Sequence, residues 1–212
     1  PKYNVKGIIF SSSCTVYGQP DVLPATEETP IKKAESPYGN TKQINEEIIY
    51  DTVKSGSPIK AILLRYFNPI GSHPSAIIGE MPNGVPQNLI PYLTQAAMGI
   101  RKELTIFGND YDTPDGTCIR DYIYVVDLAK AHVAAMARVL DKETEPIEYF
   151  NIGTGNGNST LEIVETFEKA TGVKLNWKYG PRREGDIEKI WGDCTKANKV
   201  LGWKAEAKLE DV

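Results

Sequence analysis

Cysteine and histidine are scarce in this sequence: three cysteines (Cys14, Cys118, Cys194) and two histidines (His73, His132) stand among 212 residues. The cysteines are odd in number, far apart and never paired as CxxC, so a clustered zinc site is not expected and no metal is assigned. Reduced thiols in a cytoplasmic protein are the plain reading. Long apolar runs are missing as well. Stretches such as Ile62-Leu63-Leu64 fall far short of a bilayer span, so no membrane partner is expected. Nor is there a basic excess. Lys plus Arg number 24 against 28 Asp plus Glu, a formal charge of −4 that argues against a nucleic-acid footprint. What is present is an ordinary globular balance, 41% hydrophobic and 25% charged, long enough for one large domain or a domain with a smaller lobe.

The apolar segments alternate in type along the chain. Val5 to Phe10 reads as a strand that ends in Ser11-Ser12-Ser13, and a proline-punctuated loop follows. Ser36-Pro37 sets a helix start, with the hydroxyl as N-cap and proline at the first helical position, and the helix should run to about Lys54. Ile59 to Tyr66 reads as a buried strand between Pro58 and Asn68-Pro69. Residues 70 to 87 have no periodicity and read as a functional or mobile loop. A helix is expected over 88–100, a strand over 104–107, and an Ala-rich helix capped by Asp127 and ending near Leu140. Another strand follows over 147–152, and Ser159-Thr160-Leu161-Glu162 is a capping box for a helix ending at Gly172. Strands alternating with helices predict parallel βαβ units in a layered α/β fold.

Within that frame, Tyr38 and Lys42 lie at i and i+4, on one helical face. A free phenol ionises near pH 10, too high for a base at neutral pH, and an ammonium alongside would favour the phenolate. By itself the spacing is weak, because Tyr and Lys are common on helices. The serine-rich exit of the preceding strand raises its weight, since ligands sit at the carboxyl ends of strands in open α/β sheets. Asn151-Ile152-Gly153-Thr154-Gly155-Asn156-Gly157 also follows a strand and precedes a helix, but its glycines are spaced G-x-G-x-G, and no acidic residue lies over 173–180. It is read as a structural turn. His132, on an Ala-rich helix, is read as structural.

Ser11-Ser12-Ser13 with Thr15-Val16-Tyr17-Gly18, and then Ser36-Pro37-Tyr38-Gly39 with Lys42, resemble an extended short-chain dehydrogenase/reductase. Further along come Arg65-Tyr66-Phe67-Asn68-Pro69-Ile70-Gly71, Pro86 to Tyr92, Phe107 to Tyr111, Gly116 to Tyr122, and Pro181-Arg182-Arg183-Glu184-Gly185-Asp186. These are similar to the UDP-galactose 4-epimerases, in the family's order and across nearly the whole chain. The resemblance implies a partial Rossmann-like, doubly wound parallel sheet (residues 1–68) joined to a smaller α/β sugar-nucleotide-binding lobe. That lobe takes in residues 69–212, with segments near 120–155 returning to the first domain. It implies NAD as cofactor, a UDP-sugar as ligand, and a homodimer at full length. It further implies interconversion of UDP-galactose and UDP-glucose through a 4-keto sugar.

Roles carry over residue by residue as implications of that resemblance. Tyr38 is expected as the catalytic base and acid, with Lys42 on the nicotinamide ribose and lowering the phenol's pKa. Ser13 is placed between the sugar hydroxyl and the phenol, and Ser11, Ser12 and Tyr66 are placed at the cofactor. Asn68 should lie beside the sugar nucleotide, Asn88 and Leu89 at the diphosphate and nucleotide, and Phe107 near the uracil. Arg120 and Arg183 should grip the diphosphate, and Asp186 the uridine ribose. Plainer readings stand beside these: surface ion pairing for the two arginines, and core packing for Phe107. Ile190 takes a position where many relatives limit space at the sugar's 2-position, which leaves N-acetylated sugars open. The family's glycine-rich NAD-binding segment and C-terminal helix lie outside this sequence, so the chain alone is expected to bind NAD weakly or not at all. Two rivals remain. A nucleotide-sugar 4,6-dehydratase is disfavoured because Cys14-Thr15 follow Ser13 where an acid is wanted. A non-catalytic sugar-nucleotide-binding protein would keep the pocket without the turnover.

Overall fold

The structure, a computed structural model, describes residue 3, residues 5–141 and residues 143–212. Its centre is a three-stranded parallel sheet of β1 (Gly7–Ser11), β2 (Lys60–Tyr66) and β7 (Ile147–Ile152), with β2 in the middle. Ser11 pairs with Leu64, and Tyr66 pairs with Ile152. A central parallel strand is covered on both faces, which is why β2 reads as the continuous run Ala61-Ile62-Leu63-Leu64. Helix α1 (Pro37–Lys54) packs on one face through Ile49 and Val53 against Ala61 and Leu63. Helix α3 (Val125–Val139) packs on the other through Leu128, Ala131, Ala135 and Val139 against Ile62, Leu64, Phe150 and Ile152.

The second lobe is assembled from short strands and two helices. β4 (Leu104–Phe107) pairs in parallel with β9 (Trp177–Gly180), and β3 (Asn68–Ile70) with β6 (Tyr122–Tyr124). The two-residue strands β5 (Ile119–Arg120), β8 (Asn158–Ser159) and β10 (Lys189–Ile190) form a small mixed sheet. Helices α2 (Leu89–Ala97) and α4 (Thr160–Thr171) close a core around Leu93, Leu104, Ile106, Ile163 and Val164. A short helix α5 (Thr195–Val200) and Trp203 then return to the core of the central sheet, further along the chain than residue 155.

The expected elements over 36–54, 60–66, 104–107, 147–152 and 159–172 are present, including the Ser159–Glu162 capping box and left-handed Gly172 at φ 71°. Two helix ends differ from expectation. Helix α2 stops at Ala97 because Gly99 adopts φ +73°, which no helix continues. Asp127 is not a cap: β6 runs directly into α3, with Tyr124 at the N-cap, and places Asp127 in the first turn. Its carboxylate accepts instead from the backbone N–H groups of Glu206 and Ala207, both at 2.9 Å.

Candidate active site

Two local structures meet at the end of the central sheet. Past β1, Ser13 is the N-cap of a single 3₁₀ turn over Cys14–Tyr17, its hydroxyl accepting from Thr15 N–H at 3.3 Å. Opposite, Ser36 caps α1 by accepting from Gly39 N–H at 3.1 Å, with Pro37 at the first position. That start sets Tyr38 in the first turn, half exposed at 52%, and Lys42 one turn further along the same face.

The structure brings Tyr38, Ser13 and Lys42 together. Ser13 lies near enough to the phenol to influence its ionisation, and the Lys42 ammonium lies 5.5 Å from the Tyr38 ring centroid. The electrostatics differ from the sequence expectation. Burial, the largest cause, holds the Tyr38 phenol above its ordinary value; Ser13 pulls it down, while Tyr66 and Cys14 push it up. The expected lowering by Lys42 is not among these causes, and its ammonium donates to the Ser11 carbonyl at 2.7 Å. Tyr66, at the end of β2, is therefore close enough to act on Tyr38. Its ring is also tilted against His132 at 6.2 Å between centroids.

Two of the serines expected at the cofactor are committed within the protein. The Ser12 hydroxyl is fully buried and donates to the Glu46 carboxylate. The Ser11 hydroxyl meets His132 Nε2 at 3.0 Å, while His132 Nδ1 meets the Leu128 carbonyl at 2.9 Å, a structural arrangement for the histidine. Sequence reasoning missed Glu46 and its partner Arg65. Their signal was legible: an arginine inside an otherwise apolar strand, and a carboxylate one turn beyond Lys42.

A cavity of about 450 Å³ lies in the second lobe, with Asn68 on its wall. Asn68, Asn88, Leu89, Phe107, Arg120, Arg183 and Asp186 all line it, although they come from five separate stretches of chain. Arg183 reaches both Asp186 oxygens, at 3.1 and 3.3 Å, and Arg120 approaches the same carboxylate at 3.9 Å. Two guanidinium groups around one carboxylate leave a local positive excess at that end, suited to an anion, while Glu80 lies elsewhere on the wall. Phe107 is 39% exposed and carries the Arg183 guanidinium 5.0 Å from its ring centroid, while its strand neighbours Leu104 and Ile106 fill the core. Alternation along β4 thus turns Phe107 to the cavity. The Asn88 amide donates to Glu80 at 3.1 Å on the cavity wall. Ile190, by contrast, is 1% exposed and buried with Cys14, Val16 and Phe67.

The glycine-rich turn after β7 is closed by a buried carboxylate. Asp121 accepts from Thr154 N–H at 2.8 Å, Thr154 Oγ1 at 2.7 Å and Gly155 N–H at 3.0 Å. A Cβ at Gly153 would stand 2.5 Å from an Asp121 oxygen, so the glycine serves this close approach. Among the described residues, no group of three or more His, Cys, Asp or Glu could hold a metal, and no helix is long and apolar enough to cross a membrane.

The chain matches a family model described as GDP-mannose 4,6 dehydratase over residues 2–212. It is 52% identical over 211 residues to UDP-glucose 4-epimerase 2 of Arabidopsis thaliana, covering all of this chain and 60% of that protein. It is 49% identical over 211 residues to UDP-glucose 4-epimerase of Bacillus subtilis, again covering all of this chain, and 61% of the relative. Among solved structures it is similar to UDP-glucose 4-epimerase from Bifidobacterium longum in complex with NAD+ and UDP. There the TM-score is 0.94 at 50% identity, covering 99% of this chain and 62% of that one. The chain therefore spans about three-fifths of the length of these relatives.

Proposed function

This chain belongs to the family whose model spans it, in which its half-identical relatives are UDP-glucose 4-epimerases, and from that premise we propose that the protein interconverts UDP-galactose and UDP-glucose by NAD-dependent 4-epimerisation. The observation that carries the reading is the meeting of Tyr38, Ser13 and Lys42 at the sheet end, with Arg120 of the arginine-paired cavity close enough to act on Cys14, the neighbour of Ser13.

Tyr38 takes the proton from the sugar's 4-hydroxyl and later returns it, with Ser13 holding the same hydroxyl in line. Lys42, Tyr38 and Tyr66 would hold the cofactor: an ammonium for ribose hydroxyls and a phenol at the strand ends fit a nicotinamide dinucleotide. When bound, NAD supplies the acceptor and donor of the hydride at C4. Arg120 and Arg183 hold the diphosphate, Asp186 the ribose, Asn88 and Leu89 the phosphate–nucleotide junction, Phe107 the uracil, and Asn68 the sugar side. Firm mooring of UDP by these residues would leave the sugar end free to turn in the pocket. The same reading carries a homodimer through α1, whose Ile44, Ile48 and Tyr50 are exposed, and a cytoplasmic location.

The dehydratase alternative has the family model's description in its favour, but the residue after Ser13 is Cys14. Burial pushes that thiol up to about 12, a poor acid for eliminating water. The test is a coupled assay on the protein at its natural length with NAD and UDP-galactose. UDP-glucose is the expected product, and Tyr38→Phe lowers the rate by about 10²–10⁴-fold. A 4-keto-6-deoxy product would favour the dehydratase, and UDP binding with no turnover would favour a non-catalytic protein.

A further inference from the structure

Three consecutive serines at the end of β1 meet three successive turns of α1. The Ser11 carbonyl accepts from Lys42, the Ser12 hydroxyl donates to Glu46, and Ser13 lies near enough to the Tyr38 phenol to ease its ionisation. Tyr38, Lys42 and Glu46 are spaced four apart and so share one stripe of the helix. The middle contact is the anchored one. Glu46 is 4% exposed, and its carboxylate receives Arg65 Nε at 3.0 Å and Nη2 at 2.7 Å, a two-pronged pair with Arg65 itself 4% exposed. Arg65 Nη1 donates to the Tyr17 hydroxyl at 3.2 Å, and that hydroxyl donates to Asn151 at 2.6 Å. Strand tip, 3₁₀ turn, helix, β2 and β7 are thereby tied at one carboxylate.

We propose that Glu46 is a positioning residue: by gripping Ser12 and Arg65 together it fixes the rotation of α1 against the strand tip, and so sets the Tyr38–Ser13 contact. A buried carboxylate carries a desolvation cost, and hydrophobic packing alone would hold α1 to the sheet. What packing does not supply is rotational register, since an apolar stripe tolerates a small roll that a two-pronged ion pair does not. The Ser12 hydroxyl thus serves the helix. The inference rests on the epimerase reading for its consequence in turnover and on geometry alone for the contact.

The test compares Glu46→Gln with Glu148→Gln. The second weakens a two-pronged but less buried pair, Arg138–Glu148, which joins α3 to β7 away from the site. In the protein at its natural length, Glu46→Gln is expected to lower kcat about tenfold or more while KM for UDP-galactose stays within about twofold, as for a lost alignment of reacting groups. In protein labelled at tyrosine Cζ with carbon-13, with the Tyr38 signal assigned through Tyr38→Phe, that signal moves in Glu46→Gln. Glu148→Gln loses stability but keeps both kcat and the Tyr38 signal. A folded Glu46→Gln with unchanged kcat and Tyr38 signal overturns the proposal, as does an equal effect from Glu148→Gln. If Glu46→Gln does not fold, Ser12→Ala takes its place under the same outcomes, because it removes one hydrogen bond and leaves Arg65 paired. Absence of epimerase activity in the unsubstituted protein would refute the functional reading, and the Tyr38 signal would still decide the positioning.

Discussion

Tyr38 sits between two opposing influences, burial that keeps its phenol protonated and a serine hydroxyl that eases ionisation. A base works in its ionised form, so turnover should rise as pH climbs through the phenol's pKa. Ser13→Ala removes the one lowering cause, leaving the phenol higher still. The rising limb of kcat against pH then moves to higher pH, and the rate at pH 7 falls by about 10–100-fold. An unmoved limb would separate Ser13 from the proton transfer. The two arginines make a second prediction. Arg120→Gln or Arg183→Gln removes a charge-assisted contact worth about 1.5–3 kcal/mol, so calorimetry should find UDP bound about 10–100-fold more weakly. Arg120 is the more buried, 15% exposed against 47%, and its loss is expected to cost more. At this scale the sequence put Tyr38 and Lys42 on one helical face, because i and i+4 spacing is a local property, and the structure brings Ser13 to them. The sequence misplaced the Ser12 side chain, since nothing local tells which face of a strand exit meets a helix carboxylate thirty-four residues away.

Among the elements, α3 shows how a terminal segment is held. The Asp127 carboxylate receives Glu206 N–H, Ala207 N–H and Lys130, and its backbone carbonyl accepts the Trp203 indole at 2.9 Å. Burial alone would raise this carboxyl, but those N–H donors and the Lys130 ammonium outweigh it and hold the group below its ordinary value. A depressed carboxyl contributes stability above its unfolded value of 3.8, and that contribution is lost as pH falls through the lower folded value. Asp127→Ala should therefore cost about 2–4 kcal/mol at pH 7 in chemical unfolding and flatten the loss of stability in acid. The helix itself was legible from its alanine-rich periodicity. The role of Asp127 was not, because a first-turn aspartate looks like a cap until β6 is seen running straight into the helix. The two-residue strands β5, β8 and β10 were equally hidden: a pair of residues has no period to detect.

For the whole molecule, the cavity and the glycine-rich turn point in opposite directions. The arginine-lined cavity is assembled within these residues, whereas the turn at Gly153–Gly157 is closed on Asp121 and offers no nest for a pyrophosphate. Calorimetry on the 212-residue chain is accordingly expected to register UDP clearly and NAD far more weakly, and equal affinities would contradict that division. By itself the sequence determined the longer strands and helices, because periodicity and capping are local properties of the chain, and its family resemblance singled out Ser13, Tyr38 and Lys42 and the residues that line the cavity. Only the tertiary structure decided that Phe107 faces the cavity, that Asp186 stands between two arginines, that Lys42 is turned to the Ser11 carbonyl, and that Glu46 locks the helix to the strand tip. Those outcomes depend on which distant surfaces touch, and burial and charge pairing between remote segments is energy that no window of sequence contains.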